Sequence, residues 1–128
     1  MAIQIISTPL APPPGGHYSQ ALVYGGQVFV SGLLPVHRDG EKCQGPIGEQ
    51  TRLVLQNLQA ILQAAGSDLD HVLKTTVYVS DINLWGEVNA VYREIFGDHR
   101  PARSVVPVKE LHFGFLIEID AVAAQKEK

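Results

Sequence analysis

The 128-residue chain is 45% hydrophobic and 18% charged, a composition typical of one globular domain spanning residues 1–128. Its net charge is −3 and its ten Lys and Arg residues are scattered, so nucleic acid is not an expected partner. No apolar run approaches the roughly 18 residues of a membrane span, and no signal-like segment opens the chain, which favours a cytosolic protein.

Cysteine and histidine usage gives no support for a metal site. Cys43 is the single cysteine, so an internal disulfide and four-cysteine zinc sites are excluded. The histidines show neither an H-E-x-x-H motif nor a two-histidine helical spacing. They are His17, His37, His71, His99 and His112.

The first clear elements are two short strands in "QALVYGGQVFVSG". Gly25 and Gly26 join them, because a tight hairpin needs the positive φ angles that glycine supplies. The next segment, "LPVHRDGEKCQGPIG", is rich in Gly and Pro and has no periodicity, which predicts a long surface loop. Loops of this length often cover a site.

A helix is predicted from about Gly48 to Ala65, because Val54, Leu58 and Ile61 recur at helical spacing before a terminating glycine. The segment "HVLKTTVYVS" then alternates as a strand. One predicted face carries Leu73, Thr75, Val77 and Val79, and the other carries Val72, Lys74, Thr76 and Tyr78.

A second helix is predicted in "DINLWGEVNAVYREIFG", with Leu84, Val88, Val91 and Ile95 on one stripe. Asn89 falls on the adjacent stripe. The segments "ARSVVPV" and "GFLIEIDAVAA" read as two further strands. The element order is therefore β-β-α-β-α-β-β, with a further frayed strand expected at the N-terminus.

This order predicts an α+β fold in which two helices cover one face of a five- or six-stranded mixed sheet. The opposite face is expected to be half polar, which favours burial between subunits around a polar pocket. The residues expected there are Lys74, Tyr78, Arg103, Val105, Leu116, Glu118 and Val122.

Arg103 in "RPARSVV" is the first candidate functional residue, because a guanidinium in a strand interior needs an anion as its partner. Spacing alone favours a structural pair with Glu118 or Asp120. The alternative is that Arg103 binds a ligand carboxylate through two hydrogen bonds. Glu118 and Asp120 share one strand face and could hold a water, although such pairs more often lie on a solvated edge.

Ser31, Gly32 and Tyr18 are weaker candidates for contact with a small ligand. A Ser-Gly pair at the end of a hairpin is more commonly only a turn, and a single tyrosine is more often packing. Neither a G-x-S-x-G motif nor a phosphate-binding glycine loop is present.

Several segments taken together resemble the RidA/YjgF family of enamine/imine deaminases. They are "YSQAL…GGQVFVSG", "QNLQAILQAAGSDLDHVLKTTVYVSDI", "VNAVYREIFG", "PARSVV" and "IEIDAVA", spanning about residues 18–123. The resemblance implies a chorismate-mutase-like subunit in a homotrimer, with sites between subunits. It also implies hydrolysis of 2-aminoacrylate-like enamines and imines to 2-keto acids and ammonia, without a cofactor.

The same resemblance assigns roles to individual residues. Arg103 would bind the substrate carboxylate and Glu118 would position the attacking water. Tyr18 and Asn89 would line the pocket, with Ser31, Gly32 and Val105 completing it.

The sequence departs from the family pattern at several of these places. Leu33 follows Ser-Gly where the family usually has glutamine, and His17 replaces a proline. Val105 replaces a cysteine, and "ELHFG" replaces a Leu-Pro turn. These changes predict altered selectivity. Leu33 also leaves open a non-catalytic binder of small carboxylates or 2-keto acids. A third alternative, which the resemblance implies and the acidic charge balance disfavours, is an endoribonuclease.

Overall fold

Six strands and two helices follow one another in the predicted order, in a computed structural model that describes residues 2–127. The elements are β1 (Gln4–Ile6), β2 (Ala21–Tyr24), β3 (Gln27–Leu33), α1 (Ile47–Ala64), β4 (Val72–Val79), α2 (Trp85–Phe96), β5 (Ala102–Pro107) and β6 (Ile117–Ala124). Short 3-10 turns occupy Leu69–His71, Ile82–Leu84 and His112–Gly114. The α+β prediction and the additional N-terminal strand are confirmed.

The six strands form one mixed sheet in the order β1-β2-β3-β6-β4-β5. The β4–β5 pair is parallel and the other four pairs are antiparallel. β6 lies in the interior between β3 and β4, so its side chains meet neighbours on both sides. β1 and β5 form the two edges.

Both helices pack on the same face of the sheet, and the core lies between them and the strands. Val54, Leu58 and Ile61 of α1 are fully buried, as their predicted stripe requires. Ile117 and Ile119 of β6 meet them from the sheet and are also fully buried. This face is therefore a closed apolar layer, and the other face of the sheet is left open.

The predicted glycine hairpin is confirmed. Tyr24 pairs directly with Gln27, so Gly25 and Gly26 form a two-residue turn. Their φ angles are 60° and 78°, which only glycine adopts at little cost.

The predicted faces of β4 are wrong at its start. Val72 is fully buried and Leu73 is exposed, the reverse of the predicted alternation. The cause is a register shift between Val72 and Lys74 against β6, which moves the alternation by one residue. From Lys74 onward the two faces are as predicted.

The predicted face of β5 is also wrong. Arg103 pairs with Thr75 and Val105 pairs with Val77, and both partners are buried beneath the helices. Neighbours in a parallel pair point to the same side of a sheet, so Arg103 and Val105 lie on the helix-covered side. Glu118 and Tyr78, which pair with each other, lie on the open face as predicted.

Candidate functional site

Arg103 lies in a cleft between the C-terminal half of α2 and the start of β5. We call it the arginine cleft; it has a volume of about 670 Å³. It is lined by Asn89, Tyr92, Arg93, Asp98, Arg100 and Arg103, among others. The strand supplies Arg103 from one side, and the helix supplies Asn89 and Tyr92 from the other.

Neutral groups hold the Arg103 side chain in place. Its Nη1 donates a hydrogen bond of 3.1 Å to Oδ1 of Asn89, and its Cζ lies 5.0 Å from the Tyr92 ring centroid. No carboxylate oxygen within residues 2–127 comes within 4.0 Å of the guanidinium. The expected structural pair with Glu118 or Asp120 is therefore absent from this part of the chain.

Tyr92 provides the rigid floor of the arginine cleft. It is buried, and its hydroxyl donates a hydrogen bond of 2.9 Å to Oγ1 of Thr75. Burial raises the pKa of Tyr92 from 10.0 to about 12, although the hydrogen bond with Thr75 and the charge of Arg103 oppose the shift. The phenol is therefore neutral at physiological pH, and its ring supports the guanidinium.

A second cleft, of about 200 Å³, lies at the end of the hairpin. We call it the glycine cleft; Tyr18, Ser31, Gly32, Leu33 and Phe113 are among the residues that line it. The register of β3 against β6 shifts between Val30 and Leu33, so the ladder is interrupted where Ser31 and Gly32 lie. Such irregularities free backbone and side chains to contact a ligand.

The polar groups of this cleft are partly engaged. Ser31 Oγ donates a hydrogen bond of 2.6 Å to the carbonyl of Ser19. The Tyr18 hydroxyl accepts one of 3.0 Å from the Gly15 amide, and its own proton stays free to bind a ligand because the side chain is exposed.

Glu118 lies against Gly32 on the open face of the sheet. A methyl group on Gly32 would overlap Oε2 of Glu118 and lie 3.1 Å from its Cδ, so this close approach requires glycine. Burial raises the pKa of Glu118, the charge of Asp120 adds to the shift, and His112 opposes it. The Glu118 carboxylate therefore accepts a proton more readily than an ordinary glutamate.

Asp120 is held on the same face by Tyr78, whose hydroxyl donates a hydrogen bond of 3.2 Å to its Oδ2. The charge of Asp120 is the largest cause of the raised pKa of Tyr78. The acidic pair predicted from the sequence thus lies together, on a partly buried surface and not on an edge strand.

The predicted site residues fall into two groups. Arg103 and Asn89 meet in the arginine cleft, whereas Tyr18, Ser31 and Gly32 line the glycine cleft, where Gly32 also approaches Glu118. Val105 packs against the core and lines neither cleft. Within one chain the sheet separates the two groups.

Sequence reasoning missed several residues that line the glycine cleft. Gln20 is buried and links the proline-rich entry to β2, because its side chain bonds the amide and carbonyl of Thr8. Phe113 adopts a φ of 59° and lies beneath the ammonium of Lys42, 4.6 Å from its ring centroid. Only the departure of "ELHFG" from the family pattern pointed to that turn.

No three or more His, Cys, Asp or Glu side chains in residues 2–127 are arranged to hold a metal ion. No helix in that range is long and apolar enough to cross a membrane.

Comparisons with known proteins found relatives that are similar in sequence and in fold. Residues 8–125 match the family model described as endoribonuclease L-PSP. A RutC family protein of Pyrococcus abyssi is 45% identical over 96% of this chain and 98% of its own. The 2-iminobutanoate/2-iminopropanoate deaminase of Rattus norvegicus is 41% identical over 95% of this chain and 90% of its own.

Among solved structures, E. coli TdcF with bound serine is 36% identical and superposes with a TM-score of 0.91. The match covers 96% of this chain and 99% of that one. A family model that spans nearly the whole chain, together with full-length relatives at this identity, shows that the chain belongs to the RidA/YjgF family.

Proposed function

We propose that the protein hydrolyses small enamine/imine intermediates to 2-keto acids and ammonia. The observation that carries this proposal is Arg103, whose guanidinium is positioned by Asn89 and Tyr92 but has no carboxylate partner in residues 2–127. Its remaining N–H groups can bind the carboxylate of an imino acid in the two-pronged geometry that suits arginine.

The reaction needs few groups. Once the enamine has tautomerised to its imine, water adds to the electrophilic carbon of the C=N bond and one water proton passes to the nitrogen. The hydroxyl proton of this adduct then also passes to the nitrogen as the C–N bond breaks, so that ammonia leaves and a C=O bond remains. Binding the substrate acid and orienting one water supply much of the acceleration, and no covalent nucleophile or cofactor is required.

Glu118 is the proposed base. Its raised pKa, caused first by burial and then by the charge of Asp120, suits a carboxylate that takes a proton from water. Gly32 lies against it, and Tyr18 and Ser31 line the same cleft as Gly32, so these residues would bound the space in which that water attacks.

The arginine cleft and Glu118 come together only if two chains contribute to one site. The open face of the sheet supports such an assembly, because an apolar row crosses it in register from β1 to β6. The row is Ile5, Leu22, Phe29 and Val122. The first three are exposed large hydrophobic side chains, and association would bury them. We propose a homotrimer with sites between subunits.

The relatives support the substrate class. The rat relative is named a 2-iminobutanoate/2-iminopropanoate deaminase, and TdcF was crystallised with serine, a small molecule that carries a carboxylate. The 2-imino acids and serine each carry one carboxylate, which a single arginine can bind.

The test is the release of pyruvate and ammonia from 2-aminoacrylate made in situ by a serine dehydratase. Wild type should accelerate release over the spontaneous rate, and Arg103→Ala should lower kcat/KM on the order of a hundredfold because the acid is no longer positioned. Arg52→Ala is the control, since it removes an exposed arginine paired with Glu94 on the helical surface. Equal rates for wild type and Arg103→Ala would exclude the proposed role.

A second candidate is a non-catalytic receptor for small carboxylates. The observation that favours it is that one chain completes the arginine cleft while Glu118 lies elsewhere. Calorimetric titration with 2-oxobutanoate that shows binding through Arg103, together with no turnover, would establish this function instead.

A further inference from the structure

Three arginines line the arginine cleft, although the chain as a whole is acidic. Arg93 and Arg100 join Arg103 there, and Asp98 is the one carboxylate among the lining residues. The chain carries a net charge of −3, so this excess of positive charge is local to the cleft.

Within residues 2–127, no ion pair that would stabilise the fold involves Arg93 or Arg100. Both residues are exposed. Arg52, by comparison, is an exposed arginine that does pair, with Glu94 at 2.9 Å. Like charges gathered around one concavity repel each other, and a bound anion relieves that repulsion.

The cleft is also larger than one carboxylate requires. Its volume of about 670 Å³ falls within the range of pockets that bind whole small-molecule ligands. Asn89 and Tyr92 hold Arg103, whereas Arg93 and Arg100 are exposed residues of the same lining, so they can meet a part of the ligand beyond its first carboxylate.

We infer that the arginine cleft selects small organic dianions, in which Arg103 binds the first carboxylate and Arg93 and Arg100 bind a second anionic group. The second group is a carboxylate or a phosphate, because guanidinium binds both in the same forked geometry. For the reaction, the preferred substrates are then imines of amino acids with acidic side chains. This inference rests on the proposed function, since it takes Arg103 as the carboxylate receptor.

Calorimetric titration at constant ionic strength tests the inference with three probes: 2-oxobutanoate, 2-oxoglutarate and 2-phosphoglycolate. 2-Oxoglutarate and 2-phosphoglycolate, which carry at least two negative charges, should bind at least about tenfold more tightly than 2-oxobutanoate. The phosphate carries up to one more negative charge than a carboxylate near pH 7, so tighter binding of 2-oxoglutarate identifies the second group as a carboxylate, and an advantage of 2-phosphoglycolate above about tenfold identifies it as a phosphate. Arg100→Ala and Arg93→Ala should remove the advantage of the dianions, and Arg100→Glu should reverse it.

In these variants the affinity for 2-oxobutanoate should fall by much less than the affinity for the other two probes, because its single carboxylate binds to Arg103. Arg52→Ala should change no affinity. Equal affinity of wild type for all three probes, or equal losses for all three in Arg100→Ala, would overturn the inference.

The outcomes separate this inference from the proposed function. Hydrolysis of 2-aminoacrylate without any preference for dianions leaves the function standing and refutes the inference. Dianion binding through Arg93 and Arg100 without any imine hydrolysis refutes the function and leaves the binding site standing.

Discussion

Arg103 and Glu118 lie on opposite faces of the same sheet. Arg103 pairs with Thr75 beneath the helices, whereas Glu118 pairs with Tyr78 on the open face. Two strand spacings, roughly 10 Å, also separate β5 from β6, so the two side chains cannot act on one small substrate within a single chain. The proposed hydrolysis therefore depends on association of chains.

Phe29→Glu should convert the proposed homotrimer to single chains and abolish imine hydrolysis. Phe29 lies in the middle of the apolar row on the open face, where it pairs with Leu22 and Val122, and a buried unpaired charge there is strongly unfavourable. Light scattering coupled to size-exclusion chromatography gives the mass. Ile82→Glu is the control, because Ile82 is similarly exposed but lies in the turn before α2. A wild type that is active as a single chain would contradict the prediction.

Gly32→Ala should impair catalysis while the fold remains intact. The new methyl group overlaps the Glu118 carboxylate, which is the movable end of a flexible side chain, so the carboxylate shifts and the backbone does not. We expect kcat to fall on the order of a hundredfold, since a displaced base no longer positions the water.

Gly86→Ala is the matched control for this substitution. Gly86 lies in α2 with no atom near the position of an added Cβ, so alanine should leave activity unchanged and stabilise the helix by roughly 0.5–1 kcal/mol. Thermal unfolding and steady-state kinetics report both effects. Full activity in Gly32→Ala would show that Glu118 is not the base.

Asp120→Asn should move the acid limb of the pH profile of kcat/KM to lower pH. A base is active when it is deprotonated, so a raised pKa of Glu118 makes activity decline at a higher pH than for an ordinary glutamate. Burial is the first cause of the raised pKa and the charge of Asp120 the second, and the substitution removes only the second. The acid limb should therefore move only part of the way towards the pH expected for an ordinary glutamate.

Asp70→Asn provides the control for the pH profile, because Asp70 is exposed on a turn outside both clefts. An acid limb that stays in place in Asp120→Asn would mean that another group controls the rate.

Tyr92→Phe and Thr75→Val should each destabilise the protein by about 1–2 kcal/mol, because each leaves a buried hydroxyl without its partner. The double variant should lose less than the sum, since neither hydroxyl then remains. Urea unfolding of the four proteins measures the coupling. Strict additivity would mean that the hydrogen bond contributes nothing.

The raised pKa of Tyr92 predicts how the stability of the protein responds to alkaline pH. The pKa of Tyr92 is raised from 10.0 to about 12 in the fold, so its contribution to stability is complete below pH 10 and is lost as pH rises towards 12. Tyr92→Phe should lack this loss when unfolding is followed between those values.

Features set by local sequence were predictable. Two consecutive glycines between alternating strands specified a hairpin, and an apolar stripe ending in Gly66 specified α1. Each depends on residues adjacent in the chain, where backbone preferences and periodicity act directly.

Relationships between distant strands were not predictable. Alternation shows that Arg103 and Val105 share a side, but only the pairing of β5 with β4 decides that this side faces the helices. The register shift at Val72 and the approach of Glu118 to Gly32 depend likewise on how separate strands meet. The resemblance proposed the site residues as candidates, but it did not predict their distribution over two faces of the sheet.

The two ends of the sheet discourage fibre-like growth. β5 is bracketed by Pro101 and Pro107, which have no backbone N–H to offer an incoming strand, and β1 at the opposite end is only three residues long. Neither edge strand, β1 or β5, is therefore a good template for pairing with a strand from another chain. Such a chain can expose an apolar sheet surface that is suited to self-association, while its edge strands disfavour amyloid-type aggregation.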